Sequence, residues 1–410
     1  MKRIFCLFLS FILCFSCVIS ACALDDLDEG KEVAKIIAEG QIIKDIDSSL
    51  VGADPSTLDI KAKSYILVDA KTQKVLANNN ENERMPCASI TKVMLLLLVM
   101  EDLDSGKITM EDKVVASEHA SSMGGAQIWL EPGEEMSVYD LLKAVAISSA
   151  NDASVALGEH IAGSEEGVVA RMNLRAKELG MENTLFKNCT GLDDPEHLTT
   201  ALDISKMSCE LLKHEKIFEF STVWMDSLRN GETELVNTNK LIRFYKGAKG
   251  LKTGTTAGAK YCLAACAERD GLMLLSVNLG SETTDDRFLS ARRLLDFGFA
   301  NFESYTPTID LSQNSSVKVR RGVCDNVNVK INSTTPVLIE KGQSKNIQSQ
   351  ITLTDSVTAP VTTDTVLGEV KLTLNDEVLA TYPIYPETAV DKMTFSAAFL
   401  RLFKSFVKMA

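Results

Sequence analysis

Apolar and polar positions along the chain change period several times, and each change marks an element. In "SYILVDAKTQKVLANNN" two short apolar runs flank the polar "AKTQK", which predicts a β-hairpin. "CASITKVMLLLL" then delivers Ser89 and, one helical turn later, Lys92, before the pattern turns wholly apolar. That predicts a buried helix ending at "SGK", with Gly106 suited to a left-handed cap. Further helices are marked by their caps. Ser137 with Asp140 opens "VYDLLKAVAI", Ser164 opens "EEGVVARMNLRAKEL" with Gly180 at its end, and Thr200 with Asp203 opens "ISKMSCELL". Strand patterns return in "GLKTG", "YCLAACAE" and "LMLLSVNLG", the last two joined at "RDG", and "RFLSARRLLDFGF" closes the unit as a helix. Strands at both ends with helices between them predict an α/β (α+β) domain over residues 60–305. Its one sheet is assembled from sequence-distant strands, with helices packed on it.

After about Phe302 the texture becomes short, Val-rich and alternating: "VKVRRG", "VNVKIN", "PVLIEKG" and "GEVKLTL" predict a small all-β domain over 306–390. A helical period resumes over 391–410. Phe395, Ala398, Phe399, Leu402, Phe403 and Phe406 fall on one face, and Arg401, Lys404 and Lys408 on another. This segment reads as an amphipathic helix lying in a membrane surface, too short and too charged to span it; a helix docked on the β domain is the alternative. At the other end "MKR", the apolar run Ile4 to Ile19 and the small residues "ACA" read as a signal peptide over 1–23. "ISAC" also resembles a lipoprotein cleavage box, which would lipidate Cys22. Residues 24–59 are rich in Asp and Glu and read as an acidic spacer.

The chain has 410 residues, of which 45% are hydrophobic and 24% charged, ordinary values for folded domains. A net charge of −13 argues against a nucleic-acid partner, because phosphate binding needs clustered Lys and Arg. Outside the leader the cysteines are Cys87, Cys189, Cys209, Cys262, Cys266 and Cys324, with spacings that suggest neither a disulfide framework nor a metal site. Cys262 and Cys266 share a predicted strand about 13 Å apart and cannot pair with each other. Buried free thiols are expected, Cys87 among them.

Three islands carry the chemistry: "SITK" (Ser89 to Lys92), "SAN" (Ser149 to Asn151) and "KTG" (Lys252 to Gly254). Each alone is weak; together and in this order they are specific. "GLKT" lacks the glycine that a P-loop places directly before its lysine, which excludes that kind of nucleotide site. A serine hydroxyl attacks only when a base takes its proton. None of the islands holds a histidine, so Lys92, on the same helical face as Ser89, is the expected base. It must be neutral for that role, and burial together with the second cation Lys252 is expected to lower its pKa. The helix start at Ser89 also favours a developing oxyanion.

In these islands the sequence resembles the penicillin-recognising serine enzymes, and more closely the low-molecular-mass penicillin-binding proteins, the D-alanyl-D-alanine carboxypeptidases. The likeness runs from about Ala62 to the C-terminus. It includes "NDA" after Ser149, Met172–Asn173, "LGM" at 179–181, "GL…H…TALD" over 191–203 and the "LLDFGF" helix. The resemblance implies a β-lactamase/transpeptidase-like fold, a mostly antiparallel sheet flanked by helices with a helical lobe, and an active site between them. It implies removal of the terminal D-alanine from peptidoglycan stem peptides through an acyl-enzyme on Ser89, with β-lactams as covalent inhibitors and no cofactor or metal. It further implies that Ser149 relays the proton to the leaving amine and that Asn151 orients Lys92 and the substrate amide. Lys252 would attract the terminal carboxylate, with Thr253 and Thr256 as hydrogen-bonding groups beside Gly254. Backbone N–H groups of Ser89 and Thr255 would form the oxyanion hole, and Arg287 would lie near the carboxylate site. A β-lactamase reading is weakened because "NCTGLDDPEHLTT" lacks the deacylating glutamate of class A enzymes. Two further functions share these motifs: an endopeptidase acting on cross-links, and a non-catalytic module that only binds cell-wall peptides. The second predicts loss of a catalytic side chain, and none is lost.

Overall fold

The computed structural model describes residues 48–400. The expected signal peptide, most of the expected acidic spacer and the last ten residues of the expected C-terminal helix lie outside the described residues.

The hairpin forms as expected, with Ser64–Asp69 antiparallel to Val75–Asn79. It joins three strands from much later in the chain. The sheet order is Val75–Asn79, Ser64–Asp69, Leu272–Ser281, Lys260–Arg269, Ala248–Thr256, antiparallel throughout. Every residue of Ser64–Asp69 and of Leu272–Ser281 is buried. Side chains alternate between two faces, so a continuous apolar strand requires cover on both. On one face Ile66, Val68, Cys262, Ala264, Cys266, Leu275 and Val277 join the core of the helical lobe. On the other, Tyr65, Leu67, Leu263, Ala265 and Leu274 meet Leu294, Leu295 and Phe297 of the helix Thr284–Asn301. Gly298 permits that approach, because a Cβ there would overlap Leu274.

The apolar helix is Lys92–Asp104, and every residue from Lys92 to Met100 is buried. It runs through the middle of the lobe against Ala201–Leu211, Asn151–Ala162 and Glu165–Glu178. Each fully buried Leu contributes about 1.5–3 kcal/mol. The expected caps are in place: Ser137, Ser164 and Thr200 accept the N–H of Asp140, Gly167 and Asp203, and Gly106 and Gly180 are left-handed. Part of the expected spacer is docked. Leu50, Ala53, Leu58 and Ile60 pack on the second core, and Asn301 bonds Gly52 and Leu50.

The all-β region is a six-stranded sheet, ordered Gln348–Leu353, Gly368–Leu374, Glu377–Pro386, Asn326–Lys330, Ser316–Arg320, Ser356–Thr358. "PVLIEKG" is a strand, but its partner is elsewhere. Val337–Glu340 pairs with Phe302–Tyr305, the segment leaving the long helix. Residues 395–400 are helical, and Phe395, Phe399 and Leu400 face solvent rather than the β sheet. No helix among the described residues is long and apolar enough to cross a membrane.

Candidate active site

The Ser89 segment is a 3-10 turn, Ala88–Thr91, running straight into the Lys92–Asp104 helix. Ala88 is left-handed at φ 49°, which turns Ser89 into a cleft between the sheet and the lobe. Lys92 is fully buried and its Nζ has three neighbours: Ser89 Oγ at 2.9 Å, Asn151 Oδ1 at 2.7 Å and the Thr190 carbonyl at 2.6 Å. Asn151 Nδ2 donates to the Gly124 carbonyl at 2.6 Å, which aims Oδ1 at the lysine. A neutral amine has two N–H groups and one lone pair. Asn151 Oδ1 and Thr190 O can only accept, so they take the two N–H groups and the lone pair faces Ser89. That is the geometry of a general base. Burial lowers the Lys92 amine to about 7. The expected help from Lys252 falls the other way: Lys252 is held well below its ordinary value by its own burial, then by repulsion from Lys92 and Arg287.

Ser149 ends a π-helical turn, Ala144–Ser148, at φ 67° and lines the same cleft as Ser89. The next residues tie this corner down. Asn151 N–H donates to Ala126 O at 2.7 Å. The fully buried Asp152 carboxylate accepts from the N–H groups of Ile128, Leu130 and Ala153. Asp152→Ala is therefore expected to orphan three buried N–H groups and destabilise the protein by about 3 kcal/mol or more. A thermal midpoint within about 2 °C of the parent would contradict this.

The third island is the end of the Ala248–Thr256 strand. A Cβ on Gly254 would stand 2.5 Å from the Cys87 carbonyl, so the strand passes the Ser89 turn too closely for any side chain. Lys252 is buried, and no carboxylate is paired with it among the described residues. Thr253 Oγ1 donates to Thr238 Oγ1 at 2.7 Å. Arg287, which the resemblance puts near the carboxylate site, is buried beside the Phe288 and Tyr261 rings and donates to Thr255 Oγ1 at 3.0 Å. Thr255, which lines the cleft, is thus joined to Arg287 by a hydrogen bond. Thr256 also lines it, but its hydroxyl donates to Asp193 Oδ1 at 2.6 Å.

Sequence reasoning missed the rest of the lining, where Thr190, Gly191 and Leu192 border the cleft together with Gly125, Ala126 and Thr238. Gly191 is left-handed at φ 86°, and a Cβ there would overlap the Ala88 carbonyl. The signal was the "TGL" following Cys189, which resembles ordinary turn chemistry until its contact with Ala88 is seen. Cys87 is a core thiol whose pKa burial pushes up to about 11. His197 accepts from Lys187 N–H through Nδ1, leaving Nε2 to donate to Thr91 Oγ1; burial lowers it to about 4. It is a structural histidine outside the cleft lining. Among the described residues no cluster could hold a metal ion.

The chain matches two family models: "D-alanyl-D-alanine carboxypeptidase" over residues 51–283 and "Penicillin-binding protein 5, C-terminal domain" over 302–392. It is 44% identical to the D-alanyl-D-alanine carboxypeptidase DacF of Bacillus subtilis, covering 84% of this chain and 90% of that protein. It is 34% identical to DacC of Escherichia coli, covering 79% and 83%. Penicillin binding protein 5 from Haemophilus influenzae superposes with a TM-score of 0.70 at 28% identity, over 82% of this chain and 99% of that one. Penicillin-Binding Protein D2 from Listeria monocytogenes, solved in an ampicillin-bound form, covers 59% of this chain with a TM-score of 0.55 at 29% identity. A Ser–Lys pair set between a helical lobe and a sheet edge, on a chain that matches both family models, places it: the chain belongs to the D-alanyl-D-alanine carboxypeptidase family, the low-molecular-mass penicillin-binding proteins, and is a serine-type D-Ala-D-Ala carboxypeptidase.

Proposed function

We propose that Ser89 is the nucleophile and Lys92 its base, acting on peptidoglycan stem peptides that end in D-Ala-D-Ala. The observation that carries this reading is the lone pair of Lys92 aimed at Ser89 Oγ by two fixed acceptors. Ser89 Oγ adds to the carbonyl carbon of the penultimate residue while its proton passes to Lys92. The oxyanion is met by backbone N–H groups at Ser89 and Thr255. Collapse breaks the C–N bond, and the proton returns through Ser149 to the departing D-alanine amine. A water then attacks the acyl-enzyme and releases the shortened peptide.

The terminal carboxylate enters beside Lys252, Thr253 and Thr255. Burial, then Lys92 and Arg287, disfavour the charged form of Lys252, and an arriving anion shifts it back toward the ammonium. A β-lactam follows the same first step, but its leaving nitrogen stays tethered in the acylated product and hinders deacylation. Two measurements test the reading: D-alanine release from diacetyl-lysyl-D-alanyl-D-alanine, and peptide mapping of a labelled penicillin. A label on any serine but Ser89 would sink it.

Export, with the C-terminal helix resting on the outer face of the cytoplasmic membrane, is the accompanying proposal. It is supported by the leader pattern and by the solvent-facing Phe395, Phe399 and Leu400. Burying such a face at about 25 cal/mol per Å², with about 1 kcal/mol for each basic residue near anionic lipid, holds a protein at an interface. A chain beginning after Cys22 and truncated after Asp391 is expected to leave anionic liposomes while keeping its activity in solution. Equal liposome binding with and without the segment would reject the anchor.

A further inference from the structure

Lys92 can present its lone pair to Ser89 only if the Thr190 carbonyl stays where it is, and that carbonyl belongs to a loop with no regular secondary structure. A residue touching neither the cleft nor Lys92 organises it. Asn188 Oδ1 accepts from Gly191 N–H at 2.6 Å, Thr190 N–H at 3.2 Å and Thr190 Oγ1 at 3.1 Å. Its Nδ2 closes the loop by donating to the Leu192 carbonyl at 3.0 Å. One side chain thus holds both peptide units around Thr190. The segment has no slack on either side. Cys189 N–H is held by Glu165 Oε1 at 3.2 Å, and Gly191 packs on the Ala88 carbonyl beside the nucleophile.

We propose that Asn188 is a positioning residue of the reaction: by locking Thr190 and Gly191 it keeps the Thr190 carbonyl as acceptor for one N–H of Lys92 and so leaves the lone pair on Ser89. The proposal rests on Lys92 being the base. A loop anchored less firmly lets the carbonyl swing away, and the amine then has a free N–H that competes with the lone pair for Ser89. The same loss changes the titration of Lys92, because a carbonyl acceptor favours the ammonium over the amine. The other groups facing Lys92 are Lys252, Asp152 and the thiols of Cys87 and Cys189, and none of them is among the hydrogen-bond partners of the Asn188 side chain.

The test is the pH profile of penicillin acylation by the purified chain, with folding checked by thermal denaturation. In the parent, acylation should rise through about pH 7 as Lys92 loses its proton and then level off. Asn188→Ala is expected to lower the plateau about tenfold or more and to move the rising limb to lower pH. A purely structural role would remove active protein without moving the limb. Asn188→Asp keeps an acceptor for all three donors, so its plateau should stay within about threefold of the parent. Its carboxylate should move the limb upward, the opposite direction. A folded Asn188→Ala protein with an unmoved limb would overturn the proposal. Where that variant does not fold, the plateau of Asn188→Asp decides: a fall of about tenfold overturns the proposal, and a plateau near the parent's upholds it. A parent profile with no limb near pH 7 would instead reject Lys92 as the base, a separate failure.

Discussion

The Ser89→Ala protein is expected to take up no covalent penicillin label and to release no D-alanine above background, while unfolding at nearly the parent temperature. The loss is chemical. The hydroxyl's hydrogen bond in the resting site is the one to Lys92 Nζ, and removing it costs about 1 kcal/mol. Lys92 keeps Asn151 Oδ1 and Thr190 O as acceptors, so no buried charge is stranded. Thr91 and Ser149 do not offer a replacement nucleophile. Thr91 is buried against His197 and Cys87, and Ser149 is not among the three groups that hold Lys92 Nζ. Residual covalent labelling of this variant would place the nucleophile elsewhere.

Lys92→Arg is expected to lose about 10²–10⁴ of the acylation rate even though the positive charge remains. A guanidinium does not deprotonate in a protein, so it has no lone pair to offer Ser89. The slot is also shaped for a single nitrogen, with Asn151, Thr190 and Ser89 all within 2.9 Å of Nζ. The sign of the pH effect follows from the same geometry. Burial lowers the parent lysine to about 7, so the neutral amine, and with it the rate, increases as pH rises through that value. The arginine variant should show a low, flat profile across the same range. Near-parent acylation by Lys92→Arg would show that another group takes the proton.

Much of this was legible in order along the chain. The three islands named Ser89, Lys92, Ser149, Asn151 and Lys252, and all of them meet in or against one cleft. The pattern also predicted the hairpin, the buried helix, the capped helices and the closing strands, because caps and periodicity are local properties of a few neighbouring residues. It was less informative in the β domain. Gln348–Leu353 is mostly polar and Glu377–Pro386 carries two prolines, so neither shows the alternation of a half-buried strand.

By itself, then, the sequence determined the order of the elements, the choice of Ser89 and Lys92 as the proposed reacting pair and the need for a dry environment around Lys92. Ser89 and Lys92 are one turn apart, so their meeting is a consequence of helix geometry alone. What surrounds them was decided by contacts between distant segments. Thr190 lies 98 residues from Lys92, Asn151 lies 59 away, and Gly254 and Gly191 both pack against the Ala88–Thr91 turn. No periodicity encodes such pairs. A backbone carbonyl acts as a site group only through where the chain puts it, and its residue type leaves no mark in the sequence. The partner of Val337–Glu340 was hidden for the same reason: strand pairing joins whichever edges the folded chain brings together, and only the tertiary structure sets the Phe302–Tyr305 segment beside it.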